Sequence, residues 1–220
     1  MKAQGLVDFL TNLAGHNDKA WFEAYRATYD QLRTDFTELV QSVIDGVAAF
    51  DPQTGGEDAS KSLYRINRDV RFSKDKRPYK TSFSAQIAPG GKKSGVAGYY
   101  LHIDKDGTLL VAVGFHELTP QQLLTVRTAL AAPNSPLAAA YTAAIQQGFV
   151  VMTEDQLKKV PTGWPADHPQ AELLKLKHAV LYREQPVMGQ ADLKSVIVEQ
   201  IRQLYPFTKI LRATLTATAR

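Results

Sequence analysis

Apolar residues recur at three- and four-residue intervals over the first fifty positions and then switch to alternation, so the chain changes from helix to sheet. Leu6, Phe9, Leu10 and Leu13 share one helical face. Asn17 offers a cap to a second, long helix that carries Trp21, Phe22, Tyr25, Tyr29, Leu32, Phe36, Leu39, Val40, Val43 and Val47. Within it, Trp21, Tyr25, Tyr29, Leu32 and Phe36 form a stripe expected to bury itself against a sheet. Asp51-Pro52-Gln53-Thr54-Gly55-Gly56 punctuates the helical pattern.

Period two begins near Leu63. Thr81, Phe83, Ala85 and Ile87 alternate with Ser82, Ser84, Gln86 and Ala88; after the glycine-rich stretch 89–95, residues 97–103 are rich in strand formers. Asp104-Lys105-Asp106-Gly107 reads as a hairpin turn into Thr108 to Phe115. Thr119-Pro120 has the form of a helix start, Pro133 and Pro136 break and restart the pattern, and helix continues to Gln147. Phe149 to Met152 and Ala179 to Tyr182 each offer a further strand, and Ala191 to Leu204 a last amphipathic helix. Helices before and after a block of strands predict an α+β fold. Its central, mainly antiparallel sheet is packed by the long N-terminal helix and by C-terminal helices, in a single globular domain over residues 1–220.

Composition narrows the class. The chain has 220 residues, 44% of them hydrophobic and 22% charged, which excludes intrinsic disorder; no apolar run exceeds the seven residues from Leu109 to Phe115, far short of a membrane-spanning helix. With no cysteine, there are no disulfides, thiolate metal sites or cysteine nucleophiles. Met1-Lys2-Ala3-Gln4-Gly5 leads into an amphipathic segment rather than the apolar core of a secretory signal, so the cytoplasm is the expected compartment.

The net charge of +4 is unevenly spread. Residues 61–80 hold eight cations (Lys61, Arg65, Arg68, Arg71, Lys74, Lys76, Arg77, Lys80) against Asp69 and Asp75, while the other 200 residues are slightly acidic. Cations so close repel one another unless something negative offsets them, so the segment reads as a receptor for an anion. Taken as a strand, it places Tyr64, Ile66, Val70 and Phe72 on one face and Arg65, Asn67, Asp69 and Arg71 on the other, with Arg68 on the apolar side. Asp69 can hold one arginine in a bidentate fork, leaving the others for an oxyanion. Pro78 stiffens the exit, and Phe72 or Tyr79 can stack on a ring or pack in the core. Arg68, Arg71, Lys76 and Lys80 are the candidate anion ligands, supported by Arg65, Phe72, Asp75 and Tyr79.

The string Arg68-Asp69-Val70-Arg71-Phe72-Ser73-Lys74-Asp75-Lys76-Arg77-Pro78-Tyr79-Lys80-Thr81 resembles the signature of a bacterial and fungal family of conserved proteins of unknown function. Asn17 with Trp21-Phe22, Gly98-Tyr99-Tyr100-Leu101-His102, and Pro161-Thr162-Gly163-Trp164 with Asp167-His168-Pro169 resemble further elements of that family, so the likeness runs from about residue 6 onward. Arg77 stands at a position that varies in the family and weighs less than Lys76 or Lys80. The resemblance implies no reaction.

Familiar catalytic motifs are absent. Gln86 stands where a phosphate-binding loop ending in Gly91-Lys92 needs its first glycine, Pro120 where His116-Glu117 would need a second histidine, and Phe115 where a calcium loop from Asp104 would close on glutamate. No metal site is expected, and the sequence specifies no cofactor. One proton-transfer candidate remains. Tyr100, His102 and Asp104 share a strand face, so if this strand neighbours the cationic segment His102 can act as general acid or base beside a bound phosphate, with Asp69 or Asp75 orienting it or a Mg²⁺ ion. Nearby cations are expected to hold this imidazole neutral. Three readings stand: a small phosphate- or carboxylate-bearing ligand in the cationic segment, with or without catalysis; a nucleic-acid module; or an internal ion-pair lattice without ligand. The sequence leaves ligand, strand order and oligomeric state open.

Overall fold

A computed structural model describes residues 3–190 and 192–216. Met1 and Lys2, at the start of the expected non-secretory N-terminus, and Ala191, at the start of the expected last helix, lie outside the described residues. The elements are α1 (Ala3–Gly15), α2 (Lys19–Ala24), α3 (Arg26–Ala48), α4 (Ala59–Ser62), β1 (Ser82–Ile87), β2 (Gly98–Asp104), β3 (Thr108–Phe115), α5 (Pro120–Ala131), α6 (Pro136–Gln146), β4 (Val150–Val151), α7 (Ala171–Leu174), β5 (Ala179–Pro186) and α8 (Leu193–Thr216). The strands form one antiparallel sheet in the order β1-β2-β3-β5-β4, with Val150 opposite Tyr182 and Val151 opposite Leu181, so the fold is α+β. No helix among the described residues is long and apolar enough to cross a membrane.

The chain divides into two compact units, each assembled from segments distant in sequence. One comprises residues 1–94, 100–111 and 184–199. Its core follows the helical pattern: Leu6, Phe9, Leu10 and Leu13 of α1 are buried, as are Tyr29, Leu32, Phe36, Val40, Val43 and Val47 of α3. Phe83 of β1 sits against Tyr29 and Phe36, with ring centroids 5.7 and 5.6 Å away. The expected single long helix bends at Tyr25, whose φ of −106° and ψ of 16° leave the helical region. Backbone hydrogen bonds continue across the bend, Tyr25 N–H to Trp21 O and Tyr29 N–H to Tyr25 O, each 3.1 Å. Asp18, not Asn17, caps α2, its Oδ1 accepting from the Trp21 N–H. The bend corrects the stripe: Phe22 is buried, whereas Trp21 is half-buried and Tyr25 is exposed.

The other unit comprises residues 95–99, 112–183 and 200–220. Thr119 opens α5 with a reciprocal capping box to Gln122, as the Thr-Pro start predicts. Gly114 has φ +129°, and a Cβ there would stand 1.9 Å from the Ala179 carbonyl oxygen, so β3 and β5 approach at a point only glycine permits. Tyr141 of α6 and Phe207 of α8 meet edge to face at 4.8 Å. Arg212 donates from Nε to the Ala97 carbonyl at 2.8 Å.

Candidate functional site

The cationic segment belongs to the first unit, and it is not the regular strand expected. Isolated bridges join Leu63 to Ala85 and Asn67 to Tyr79, so four steps along one arm face six along the other, and the surplus bulges out. Tyr64 N–H donates to Ser84 O, Lys80 N–H to Ile66 O, and Arg68 N–H to Pro78 O. Between these arms, residues 69–77 form an irregular tip. The expected apolar face therefore fails: Ile66 is buried, but Tyr64 is exposed and Phe72 is 96% exposed.

Carboxylates organise the tip. Asp69 accepts from Arg71 Nε at 2.9 Å and Nη2 at 2.6 Å, a bidentate fork. Asp75 forks Arg77 in the same way, and its Oδ2 also lies 2.7 Å from Nη1 of the half-buried Arg68. Arg68 Nη1 donates further to the Arg77 carbonyl, and Lys76 Nζ to the Val70 carbonyl at 3.0 Å. These arginine bonds hold Asp75 well below the usual carboxylate range, with the side-chain bond from Arg77 the largest cause; the bond from Arg71 lowers Asp69 likewise. Arg68 is thus the centre of a self-paired cluster, not a lone cation on an apolar face.

The base of the arms is anchored differently. Asn17 forms a two-way clamp on the Tyr79 backbone, Nδ2 donating to its carbonyl and Oδ1 accepting its N–H, each at 3.0 Å. The Tyr79 ring is buried and stacked on Phe22 at 4.1 Å, so it is core and not a platform for a ligand.

A second cationic group surrounds Tyr64. Lys80 Nζ lies 5.2 Å and Lys92 Nζ 5.5 Å from the centroid of this one ring, within cation–π range. Lys92 also donates to the Leu63 carbonyl. Burial lowers the pKa of Lys80, and the neighbouring charges Arg65 and Lys92 lower it further; Lys92 is lowered by burial, then by Lys93 and Arg33. Among the described residues no carboxylate forms an ion pair with either lysine. Arg33, Leu63, Tyr64 and Ser84 line a small cavity with room for about one water molecule.

Beside this group lies the half-exposed face of β2, where Tyr99, Leu101 and Ile103 are buried while Tyr100, His102 and Asp104 are only partly so. The Tyr64 and Tyr100 rings meet edge to face at 6.2 Å. Tyr100 Oη and His102 Nδ1 are 3.3 Å apart, and Ser84 hydrogen-bonds Tyr100. The His102 pKa is lowered as expected but for a different reason: burial is the cause, while Asp104 and Glu184 pull it upward. Asp69 and Asp75 are committed to arginines and hold no hydrogen bond to His102.

The structure thus gathers Lys80, Arg65, Tyr100 and His102 near Tyr64, and Arg68, Arg71, Lys76, Phe72, Asp69 and Asp75 in the tip. Sequence reading missed Lys92, which sits in a glycine-rich stretch that reads as a mere connection. No cluster of metal-ligating side chains occurs among the described residues. No curated protein and no solved structure matches the chain. The profile of the conserved hypothetical protein family DUF2461 matches residues 5–209, nearly the whole length, and the chain belongs to that family.

Proposed function

We propose that this protein binds a small oxyanion, the phosphate or carboxylate of a soluble ligand, at the open surface where Lys80, Lys92 and Arg65 gather around Tyr64. One observation carries the reading. Two partly buried ammonium groups share a ring, the charges that act on them are further cations, and no carboxylate among the described residues forms an ion pair with either. Such an arrangement is self-repulsive until an anion enters, and the entering anion gains what the lysines lack. His102 is the group on the adjoining sheet face suited to move a proton, since burial keeps its imidazole neutral and Tyr100 orients it.

The tip supports a structural role for the remaining cations. Arg68 and Arg77 converge on one Asp75 oxygen, and Arg71 is forked by Asp69, which favours a lattice that fixes the loop. Titration with inorganic phosphate, read by calorimetry, separates the two clusters. Lys80→Met or Lys92→Met should weaken binding about tenfold, the loss of one charge-assisted bond. Arg71→Ala should leave it nearly unchanged. The reverse pattern returns the anion to the tip, and no binding in the wild type rejects the reading.

A further inference from the structure

Phe72 stands at the tip of the loop with 96% of its surface in water, the most exposed large apolar side chain among the described residues. A solitary exposed phenyl on a mobile loop would need no explanation, but this loop is tied down. Asp69 forks Arg71, Asp75 holds both Arg77 and Arg68, and Lys76 bonds the Val70 carbonyl. Arg71 also lies 5.9 Å from the Phe72 centroid, extending the ring with a planar guanidinium. The result is a solvent-facing aromatic on a hydrogen-bonded tip, flanked along the chain by exposed Arg71, Lys74, Lys76 and Arg77.

We propose that this tip is a stacking platform for single-stranded nucleic acid, a surface distinct from the anion site at Tyr64 and independent of that reading. Three observations favour this occupant. The tip carries Arg71, Lys74, Lys76 and Arg77 against Asp69 and Asp75, a net positive charge complementary to a phosphate backbone. The forks use Nε and Nη2 of Arg71 and of Arg77, which leaves Nη1 of each to donate to a phosphate. The apolar element is one ring without an exposed apolar neighbour at the tip. Base stacking needs no more than that, because every base has a π-face. A membrane surface needs far more, since even a whole myristoyl chain gives only marginal attachment. Rigidity completes the argument: a tip already ordered by its aspartates loses little entropy when a strand settles on it.

Fluorescence anisotropy of the full chain with a labelled thymidine oligonucleotide of about 15 residues tests this, at low salt and across a salt series. The wild type should bind with sequence-tolerant, salt-sensitive affinity. Phe72→Ala should weaken binding by at least about fivefold, and Phe72→Trp should retain it with the new indole quenched on binding. The Lys74→Gln/Lys76→Gln double variant should flatten the slope of log affinity against log salt by about 1.4, the loss of two phosphate contacts to a single strand. Phe72→Ala titrated with inorganic phosphate serves as the control and should bind it as the wild type does, so failure here and failure at the Tyr64 site are told apart. Equal binding by wild type and Phe72→Ala overturns the proposal, as does no binding at low salt. Vesicles containing anionic phospholipid form the other arm, and Phe72-dependent binding to them without oligonucleotide binding makes the tip a membrane contact and overturns the proposal.

Discussion

Asp75 accepts from two guanidinium groups at once, which makes it the residue whose charge the tip most depends on. Its carboxyl is held below its ordinary value of 3.8 in the folded protein, chiefly by the bond from Arg77. The unfolded chain therefore takes up that proton first on acidification. Its contribution to loop order is fully present above about pH 3.8 and is lost as the pH falls below that towards the folded value. Protection of the Arg77 amide, which Asp75 accepts, measured against its intrinsic exchange rate, should hold down to about pH 4 and fall below it, and Asp75→Asn should lower it at every pH. In thermal melts Arg68→Ala should lower the midpoint more than Arg71→Ala, because only Arg68 is half-buried and bonded to the far side of the tip. Equal losses would place both in one lattice. His102 works in the opposite sense to an ordinary surface histidine. Burial depresses its pKa against the pull of Asp104 and Glu184, so its NMR titration midpoint should fall below 6.5. The unfolded chain then protonates first, and stability drops as the pH falls from about 6.5 towards the folded value. Inorganic phosphate should raise the midpoint if the anion lies near this face, and an unmoved midpoint would separate His102 from the anion site.

At the scale of elements, regular helices and strands were legible because burial follows period: β1, β2, β3, α5 and α6 lie within a residue or two of their predicted limits. Two features were not. The bend at Tyr25 leaves the hydrophobic spacing intact, so periodicity alone reads α2 and α3 as one helix. The arm from Leu63 to Asn67 has an alternating pattern, but the opposite arm, Tyr79 to Ala85, carries two surplus residues and bulges, and no single strand reveals its partner's length. The bend decides which aromatic carries stability. Phe22 is 1% exposed, stacked on Tyr79 at 4.1 Å and 5.0 Å from the Tyr29 ring, whereas Trp21 is half-buried with Tyr25 outside it. Phe22→Ala should cost about 3–5 kcal/mol, as a large-to-small core change, and Trp21→Ala clearly less. Urea unfolding of the two variants checks this, and a larger loss at Trp21 would restore the stripe that spacing alone suggests.

At the scale of the whole molecule, the sequence concentrates its positive charge in one segment, and both candidate surfaces arise from that segment. Which cations would be neutralised by aspartates and which would meet only other cations depended on contacts between residues far apart, such as Lys92 with Tyr64. No boundary is visible along the chain either, and the reason is that each compact unit is completed by distant segments. The unit that holds both surfaces takes residues 184–199 from near the other end of the sequence. That return segment is closely fitted: Val187 N–H donates to the Gly107 carbonyl at 2.8 Å, and a Cβ at Gly46 would stand 2.8 Å from Val198 Cγ2. A chain ended after Val111 keeps α1 to α4, β1 and β2 but loses this covering. Val43, Ile44 and Val47 lie on the same stretch of α3 as Gly46, and the cost of uncovering that apolar surface falls on a unit already short of a strand partner. Such a fragment should show helical signal without a cooperative urea transition or dispersed amide resonances, whereas the full chain should show both. A cooperative transition in the 1–111 fragment would mean that the return segment only decorates a unit able to fold by itself. The cationic surfaces could then be studied on half the sequence.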